Sequence, residues 1–173
     1  MIIAGKAHSA MQEWESSRRR TMAGGRTDAA SLPHGLNGRA LCRWCTLEVP
    51  AGRRTFCSDW CVHEWRLRSD PGYLREQILA RDKGICALCG IDCVHEWNRI
   101  RRARGRAREL ALRDWGVRLR RRSSLWDADH IVPVAEGGGE CDLANMRTLC
   151  LKCHRQVTAA LRERLRASGA VQK

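Results

Sequence analysis

The 173-residue chain is poor in the aromatic residues that fill small cores: one Phe and one Tyr accompany seven Trp. A chain of this length can form one medium domain or two small ones. Small domains bury proportionally little of their surface. We therefore expect something besides hydrophobic burial to stabilise the fold.

The sequence also lacks long apolar segments. No apolar run of about 18 residues occurs, so no membrane-spanning helix is predicted. The short apolar start does not continue into the hydrophobic region of a signal peptide. We therefore expect a cytoplasmic, nucleoid or nuclear protein that is not secreted, in a reducing compartment where thiols stay free.

Negative charge is scarce as well. The sequence has 32 Lys and Arg against 19 Asp and Glu, which gives a net charge of +13 and a pI of about 10.0. A field of this sign attracts polyanions, and the guanidinium fork suits phosphate. We therefore predict a nucleic-acid partner, DNA first with RNA as the alternative; a merely solvated basic surface is the competing interpretation. The sequence leaves the oligomeric state open.

Cysteine, in contrast, is abundant. Eight of the ten cysteines form closely spaced pairs, and Cys93 and Cys141 lie outside them. Such spacing is typical of zinc knuckles rather than of a disulfide framework. The pairs are Cys42 and Cys45, Cys57 and Cys61, Cys86 and Cys89, and Cys150 and Cys153.

The first two pairs predict a small zinc-binding unit over 41–69. We expect a short strand over 53–56 and a helix over 60–68. Cys57 and Cys61 then share one face of this helix or of its entry. Four thiolates close a tetrahedral site with no open position, which predicts a structural zinc. Four buried cysteines without metal are the alternative.

A helix over 73–82 precedes the third pair, and the region around that pair carries an internal repeat. The sequence CSDWCVHEW, beginning at Cys57, recurs as CGIDCVHEW, beginning at Cys89. Duplication and chance explain the repeat equally well. The repeat makes Cys93 an alternative ligand for the second zinc site.

Residues 98–122 form an Arg-rich segment with eleven Arg and two acidic residues. At helical spacing, Arg101, Arg104 and Arg108 share one face. This pattern predicts a helix that follows phosphates, with a solvated basic face as the alternative.

The residues suited to chemistry lie further on, between a strand predicted over 125–134, a returning segment over 143–149 and a helix over 150–167. Phosphodiester cleavage needs an activated water, a cation on the phosphate and positive charge nearby. A neutral imidazole can take a proton at pH 7. A carboxylate and an imidazole together can hold a divalent ion. The candidate groups are Asp129, His130 and His154, with Asn145 as an amide that orients the loop or His130.

The ordered set Asp129-His130, Asn145 and Cys150-x2-Cys153-His154 resembles the HNH endonucleases, which have a ββα-metal fold. More loosely, the resemblance extends back to Cys42. Over that length the chain is similar to the C-terminal HNH region of the zinc-finger annealing helicases.

The resemblance implies a role for each matching residue. His130 is expected as the general base, and Asn145 as the residue that positions the loop and the base. Asp129 and His154 are expected to bind the catalytic ion, usually Mg²⁺ or Mn²⁺ and sometimes Zn²⁺ or Ni²⁺. A structural zinc beneath the hairpin is expected at Cys86, Cys89, Cys150 and Cys153.

We therefore predict an α+β protein in which a four-cysteine zinc site staples an HNH core of the ββα-metal type, preceded by a smaller four-cysteine zinc unit. The expected function is metal-dependent hydrolysis of DNA phosphodiester bonds. The alternatives are a catalytically inactive, zinc-stabilised nucleic-acid-binding module and a protein-interaction zinc domain. The expected divisions are a flexible tail over 1–40, the zinc unit over 41–69, the nuclease domain over 70–168 with the insertion 98–122, and a tail over 169–173. The basic residues expected at flanking phosphates are Arg147, Lys152 and Arg155.

Overall fold

A computed structural model of the chain describes residues 27–117, 122–139 and 141–169. The chain divides into two compact units, Met1–Leu74 with Glu140–Asp142 and Arg75–Gly139 with Leu143–Lys173. The first 26 residues of the predicted tail lie outside the described residues, as do residues 118–121 of the Arg-rich segment. Each described helix is too short or too polar to cross a bilayer.

In the first unit, loops and one helix surround the first four cysteines. A 3-10 turn, Ala29–Ser31, is followed by antiparallel bridges that join His34 to Ala40 and Leu41 to Glu48. The amide of Val49 also donates to the carbonyl of Ala40 at 2.9 Å. Residues 27–40 of the predicted tail therefore include backbone that is hydrogen-bonded to the four-cysteine segment.

Helix α1, Asp59–Ser69, begins where the sequence predicts a helix start. The side chain of Ser58 accepts a hydrogen bond from the N–H of Cys61, which is a typical N-cap. The strand predicted over 53–56 is wrong, because no strand is found among the described residues of this unit. The segment turns instead, and the carbonyl of Thr55 accepts from the backbone N–H of Arg43, in the first knuckle, at 3.0 Å.

The second unit is built around a two-stranded antiparallel sheet. Its residue pairs run from Trp126 opposite Cys150 to His130 opposite Met146. Helix α2 begins in the first unit and ends in the second. The elements are α2 Pro71–Asp82, α3 Cys93–Arg102, α4 Gly105–Asp114, β1 Trp126–His130, β2 Met146–Cys150 and α5 Leu151–Ala167, with 3-10 turns at Val134–Glu136 and Leu143–Asn145.

The hairpin and the helices carry the most deeply buried apolar residues of the second unit. Leu125 and Leu149 of the hairpin region are fully buried, as are Ile78 of α2 and Ile100 of α3. Thr148 is the one buried polar residue described, and it lies in β2. The predicted α+β fold class is confirmed, with the sheet limited to two short strands.

The strand predicted over 125–134 is too long. β1 ends at His130, and the chain then bends into the 3-10 turn Val134–Glu136. The side chain of Asn145 bonds both backbone groups of Val132 and so replaces the partner strand there. The returning segment predicted over 143–149 also starts later as a strand, because residues 143–145 form a 3-10 turn and β2 begins at Met146. The final helix is confirmed, with Cys150 as its N-cap rather than its first residue.

The predicted shared face of Arg101, Arg104 and Arg108 is wrong, because the helix is interrupted. α3 ends at Arg102, and Arg104 has an extended backbone as the N-cap of α4. Gly105 opens α4 with φ +51, a left-handed conformation that favours glycine. The three arginines therefore lie on two helices and the turn between them.

Candidate active site and four-cysteine metal centres

The first four-cysteine cluster lies between the first knuckle and the start of α1. The sulfur atoms of Cys42, Cys45, Cys57 and Cys61 all lie within 4.8 Å of one another. Two of the separations, Cys45 to Cys57 and Cys57 to Cys61, are 3.3 Å. Zn–S bonds of about 2.3 Å in a tetrahedron separate sulfurs by about 3.8 Å. The donor set and its closure therefore fit a structural zinc.

The second cluster joins two distant segments of the second unit. Cys86 and Cys89 come from the knuckle after α2, and Cys150 and Cys153 come from the end of β2 and the first turn of α5. Their four sulfurs also lie within 4.8 Å of one another. The knuckle is further fixed by the bond from Ala87 N–H to the Thr148 carbonyl, 2.9 Å. This arrangement can hold zinc beneath the hairpin, as the resemblance implied.

The thiol pKa is lowered at Cys42 and at Cys86, the first cysteine of each CxxC pair that precedes a helix. Burial raises the pKa of Cys86, but backbone N–H groups of Cys150, Cys89 and Leu88 lower it more, to a net value of about 6. The corresponding balance at Cys42 gives a pKa of about 7. Burial and neighbouring sulfurs instead raise the pKa of Cys153. Four crowded thiols cannot all ionise without a cation among them, which is what zinc would supply.

Cys93 is close to this second cluster without belonging to it. Its thiol is fully buried and donates to the carbonyl of Ile91 at 3.7 Å. Burial first, and then the charges of Cys150, Cys86 and Cys89, raise the pKa of Cys93 to about 12. The internal repeat therefore does not supply a ligand at this position, and Cys150 and Cys153 complete the set.

Asp129 of β1 and His154 of α5 converge at the open side of the hairpin. Oδ1 of Asp129 lies 3.6 Å from Nε2 of His154. A carboxylate oxygen and an imidazole nitrogen at this separation can bind one divalent ion and leave its other positions to water and phosphate. The predicted pair is thus brought together by the fold, and the donors fit Mg²⁺ or Mn²⁺ and also Zn²⁺ or Ni²⁺.

Two arginines and a second carboxylate surround this pair. Arg147, directly opposite Asp129 in the sheet, donates to Oδ2 of Asp129 at 2.9 Å. Asp127 lies two residues before Asp129, bonds Nδ1 of His154 at 3.1 Å and accepts from Arg122 at 2.8 Å. Burial raises the pKa of Asp127, but Arg122 and His154 outweigh that effect, so its net pKa is lowered.

Sequence reasoning did not assign Asp127 or Arg122. Alternate residues of a strand face the same side. That periodicity would have placed Asp127 beside Asp129, so a usable signal was present in the sequence. Arg122 follows an Arg-rich run, and nothing in the run distinguishes it from its neighbours.

His130 ends β1 next to Asp129. Its Nε2 atom is buried and has no hydrogen-bond partner among the described residues. An unpaired buried polar atom is costly and calls for an explanation. The general-base role that the resemblance implies for His130 stays a prediction, because this nitrogen is covered in the structure.

Asn145 holds the loop that follows His130. Its Oδ1 accepts from Val132 N–H at 2.8 Å, and its Nδ2 donates to the carbonyls of Val132 at 2.9 Å and Gly139 at 3.3 Å. The loop is tight at Gly138, where a Cβ would lie 1.8 Å from the Val132 carbonyl oxygen. Asn145 therefore contacts the loop, and no bond to the His130 ring is found among the described residues.

The three basic residues beside the motif all have partners within the second unit. Arg147 pairs with Asp129, and Lys152 pairs with the carboxylate of Asp114 at 2.7 Å. Arg155 donates to the backbone carbonyl of Trp115. Their predicted phosphate contacts stay predictions, and each would require the side chain to share or leave its present partner.

A short β-hairpin and a following helix, with an Asp-His pair on the first strand and a four-cysteine site beneath, define the ββα-metal class of HNH domains. Residues 117–160 match the family described as HNH endonuclease. The Mus musculus protein named DNA annealing helicase and endonuclease ZRANB3 is 35% identical over 143 residues, covering 70% of this chain and 13% of that protein. The Homo sapiens protein of the same name is 34% identical over 116 residues, covering 60% of this chain and 11% of that protein.

The crystal structure of the human ZRANB3 HNH domain is 32% identical in sequence and is covered to 97%, with 57% of this chain aligned and a TM-score of 0.45. The predicted resemblance to the HNH endonucleases is confirmed by the family match over residues 117–160 and by the similarity to the ZRANB3 proteins. It spans about 13% of the length of the first curated relatives that it matches.

Proposed function

We propose that the second unit is a metal-dependent endonuclease that hydrolyses DNA phosphodiester bonds. The observation that carries the proposal is the convergence of Asp129 and His154, whose Oδ1 and Nε2 atoms lie 3.6 Å apart. The match of residues 117–160 to the HNH endonuclease family supports the same reaction class.

Each residue of the site has a distinct task in this proposal. His130 takes the proton from the attacking water, and Asp129 and His154 hold the divalent ion. When bound, that ion polarises the phosphate and stabilises the leaving 3′-oxygen. Arg147 holds the carboxylate of Asp129. Asn145 bonds the backbone of Val132 and so holds the loop that follows His130.

The distribution of arginines supports a polyanionic substrate. In the first unit, Arg53, Arg66 and Arg68 each pair with a carboxylate. Around the turn between α3 and α4, several arginines are exposed and form no ion pair with a carboxylate of the described residues. They are Arg101, Arg102, Arg104, Arg106 and Arg113. Unpaired guanidinium groups in this number attract phosphates.

The test is plasmid nicking with Mg²⁺ or Mn²⁺, comparing the wild type with His130→Ala. We expect a loss of about 10²–10⁴-fold, as is usual when general acid–base catalysis is removed. The matched control is His95→Ala, because the His95 side chain is 73% exposed on α3 and takes no part in the proposed chemistry. Equal cleavage by wild type and His130→Ala would reject His130 as the base.

The second candidate is a nucleic-acid-binding module without catalysis, and the unpaired arginines favour it independently. It predicts salt-sensitive DNA binding, but no metal-dependent product with any of the four metals. A protein-interaction zinc domain predicts neither result. Binding and nicking measured on one preparation separate these alternatives.

A further inference from the structure

The carboxylate of Asp127 connects an arginine to the imidazole of His154. Its Oδ1 accepts from Arg122 at 2.8 Å, and its Oδ2 lies 3.1 Å from Nδ1 of His154. The exposed fraction of the side chain is 41% for Arg122, 22% for Asp127 and 33% for His154. Asp127 and His154 are thus half-buried, whereas Arg122 lies at the surface.

The imidazole of His154 lies between two carboxylates of one strand. Asp127 and Asp129 share a face of β1 because they are two residues apart. Nδ1 of His154 is beside Asp127, whereas Nε2 is beside Asp129 at 3.6 Å. An ionised carboxylate only accepts hydrogen bonds, so the Nδ1 atom must carry the proton in this contact.

Each carboxylate also has an arginine of its own. Arg122 pairs with Asp127 at 2.8 Å, and Arg147 pairs with Asp129 at 2.9 Å. Each aspartate therefore has a cationic partner other than His154. A neutral ring with its proton on Nδ1 leaves a lone pair on Nε2, which is the form that binds a metal.

We propose that Asp127 is a positioning residue that holds the proton of His154 on Nδ1 and presents the Nε2 lone pair beside Asp129, with Arg122 holding Asp127. The inference rests on the proposed ion site at Asp129 and His154. Histidines that bind metals commonly donate their other N–H to a carboxylate, which fixes both tautomer and ring orientation.

The deciding measurement is the ¹⁵N NMR spectrum of the histidine side chains in the zinc-containing protein without added divalent ion. We expect His154 to carry its proton on Nδ1 in the wild type at neutral pH. Asp127→Ala should shift it toward the Nε2–H form, and Arg122→Gln should shift it in the same direction by less. Asp114→Asn, an exposed carboxylate on α4, is the matched control.

Mn²⁺ titration followed by electron paramagnetic resonance provides the second measurement. We expect Asp127→Ala to weaken Mn²⁺ binding by about 10–100-fold, with partial recovery in Asp127→Asn, whose amide oxygen can still accept. Zinc content and the thermal melt establish that each variant is folded. Asp82→Asn, remote from the ion, shows how far a general loss of stability moves the same readouts.

A wild-type His154 that is protonated on Nε2, or an unchanged tautomer in folded Asp127→Ala, overturns the inference. The proposed function fails separately, through absence of nicking by a wild type whose His154 tautomer and Mn²⁺ binding are as expected. If Mn²⁺ does not bind the wild type, the tautomer still decides the role of Asp127, while the ion site itself is rejected.

Discussion

The carboxylate of Asp82 accepts two hydrogen bonds from a single residue, Thr148, through its backbone N–H and its hydroxyl, each at 3.0 Å. Asp82 ends α2, and Thr148 is fully buried in β2. The neighbouring Arg81 donates to the carbonyls of Leu143 and Met146 at 2.6 Å. The end of α2 therefore fixes β2, the strand that leads into α5.

Replacing Asp82 should destabilise the second unit. Asp82→Ala leaves the buried N–H and hydroxyl of Thr148 without their acceptor, which costs about 1–3 kcal/mol. Chemical denaturation of the zinc-containing protein measures the change. Asp114→Ala is the control, because its surface pair with Lys152 contributes only about 0–1 kcal/mol. Equal losses in the two variants would argue against this anchoring.

Elemental analysis tests the two four-cysteine sites. We expect two zinc ions per chain in the wild type, one in Cys89→Ser and two in Cys93→Ser, because Cys93 is outside the cluster. A loss of zinc in Cys93→Ser would restore it as a ligand. Disulfides without zinc would reject both sites.

Folding and chemistry should separate at the start of α5. Cys150→Ser removes a zinc ligand, and structural zinc contributes about 10–16 kcal/mol of apparent binding free energy, so we expect the hairpin to unfold. His154→Ala should stay folded and lose nicking. Thermal melts and nicking assays on both variants check this, and a folded, active Cys150→Ser protein would contradict it.

Asn145→Ala should loosen the loop after His130. The substitution removes three hydrogen bonds to Val132 and Gly139, so we expect faster hydrogen exchange over 131–139 and slower nicking. Asn145→Asp, which can still accept from Val132 N–H but cannot donate, should lie between Ala and the wild type. Unchanged exchange in Asn145→Ala would show that the loop is held by other contacts.

The unpaired arginines should determine the salt dependence of DNA binding. Replacing Arg101, Arg102 and Arg106 by Gln should flatten the plot of log affinity against log salt by up to about 0.9 for each phosphate that is no longer neutralised. Replacing Arg53, Arg66 and Arg68, which are paired with carboxylates, is the matched control with the same change in charge. A similar slope change in both triple variants would point to net charge rather than to this turn.

Local patterns were sufficient to predict much of the fold. The Ser58 cap, the cysteine spacing and the amphipathic final helix each depend on neighbouring residues, and each appears close to the predicted position. The strand over 53–56 failed because it had no partner strand. The strand predicted over 125–134 was too long. At Val132 the backbone N–H and carbonyl bond the side chain of Asn145, fifteen residues beyond His130, instead of a partner strand.

The candidate site was predictable only in part for a related reason. Asp129 and His154 lie on different elements, and the family resemblance, rather than spacing, brought them together. The pairing of Arg147 with Asp129 depends on strand register, which the sequence did not determine. The break between α3 and α4 at Arg104 likewise could not be predicted, because it depends on the left-handed backbone of Gly105.

Cys89 and Cys150, whose sulfurs lie 3.7 Å apart, are separated by 61 positions in the chain, and the helices α3 and α4 lie between them. The entropy cost of closing a flexible loop grows only logarithmically, by about 0.6 kcal/mol for each doubling of its length. The closure entropy of a zinc site at this junction would therefore depend only weakly on the length of the intervening segment. The segment that carries the exposed arginines could thus change in length while the two cysteine pairs still meet at one zinc site.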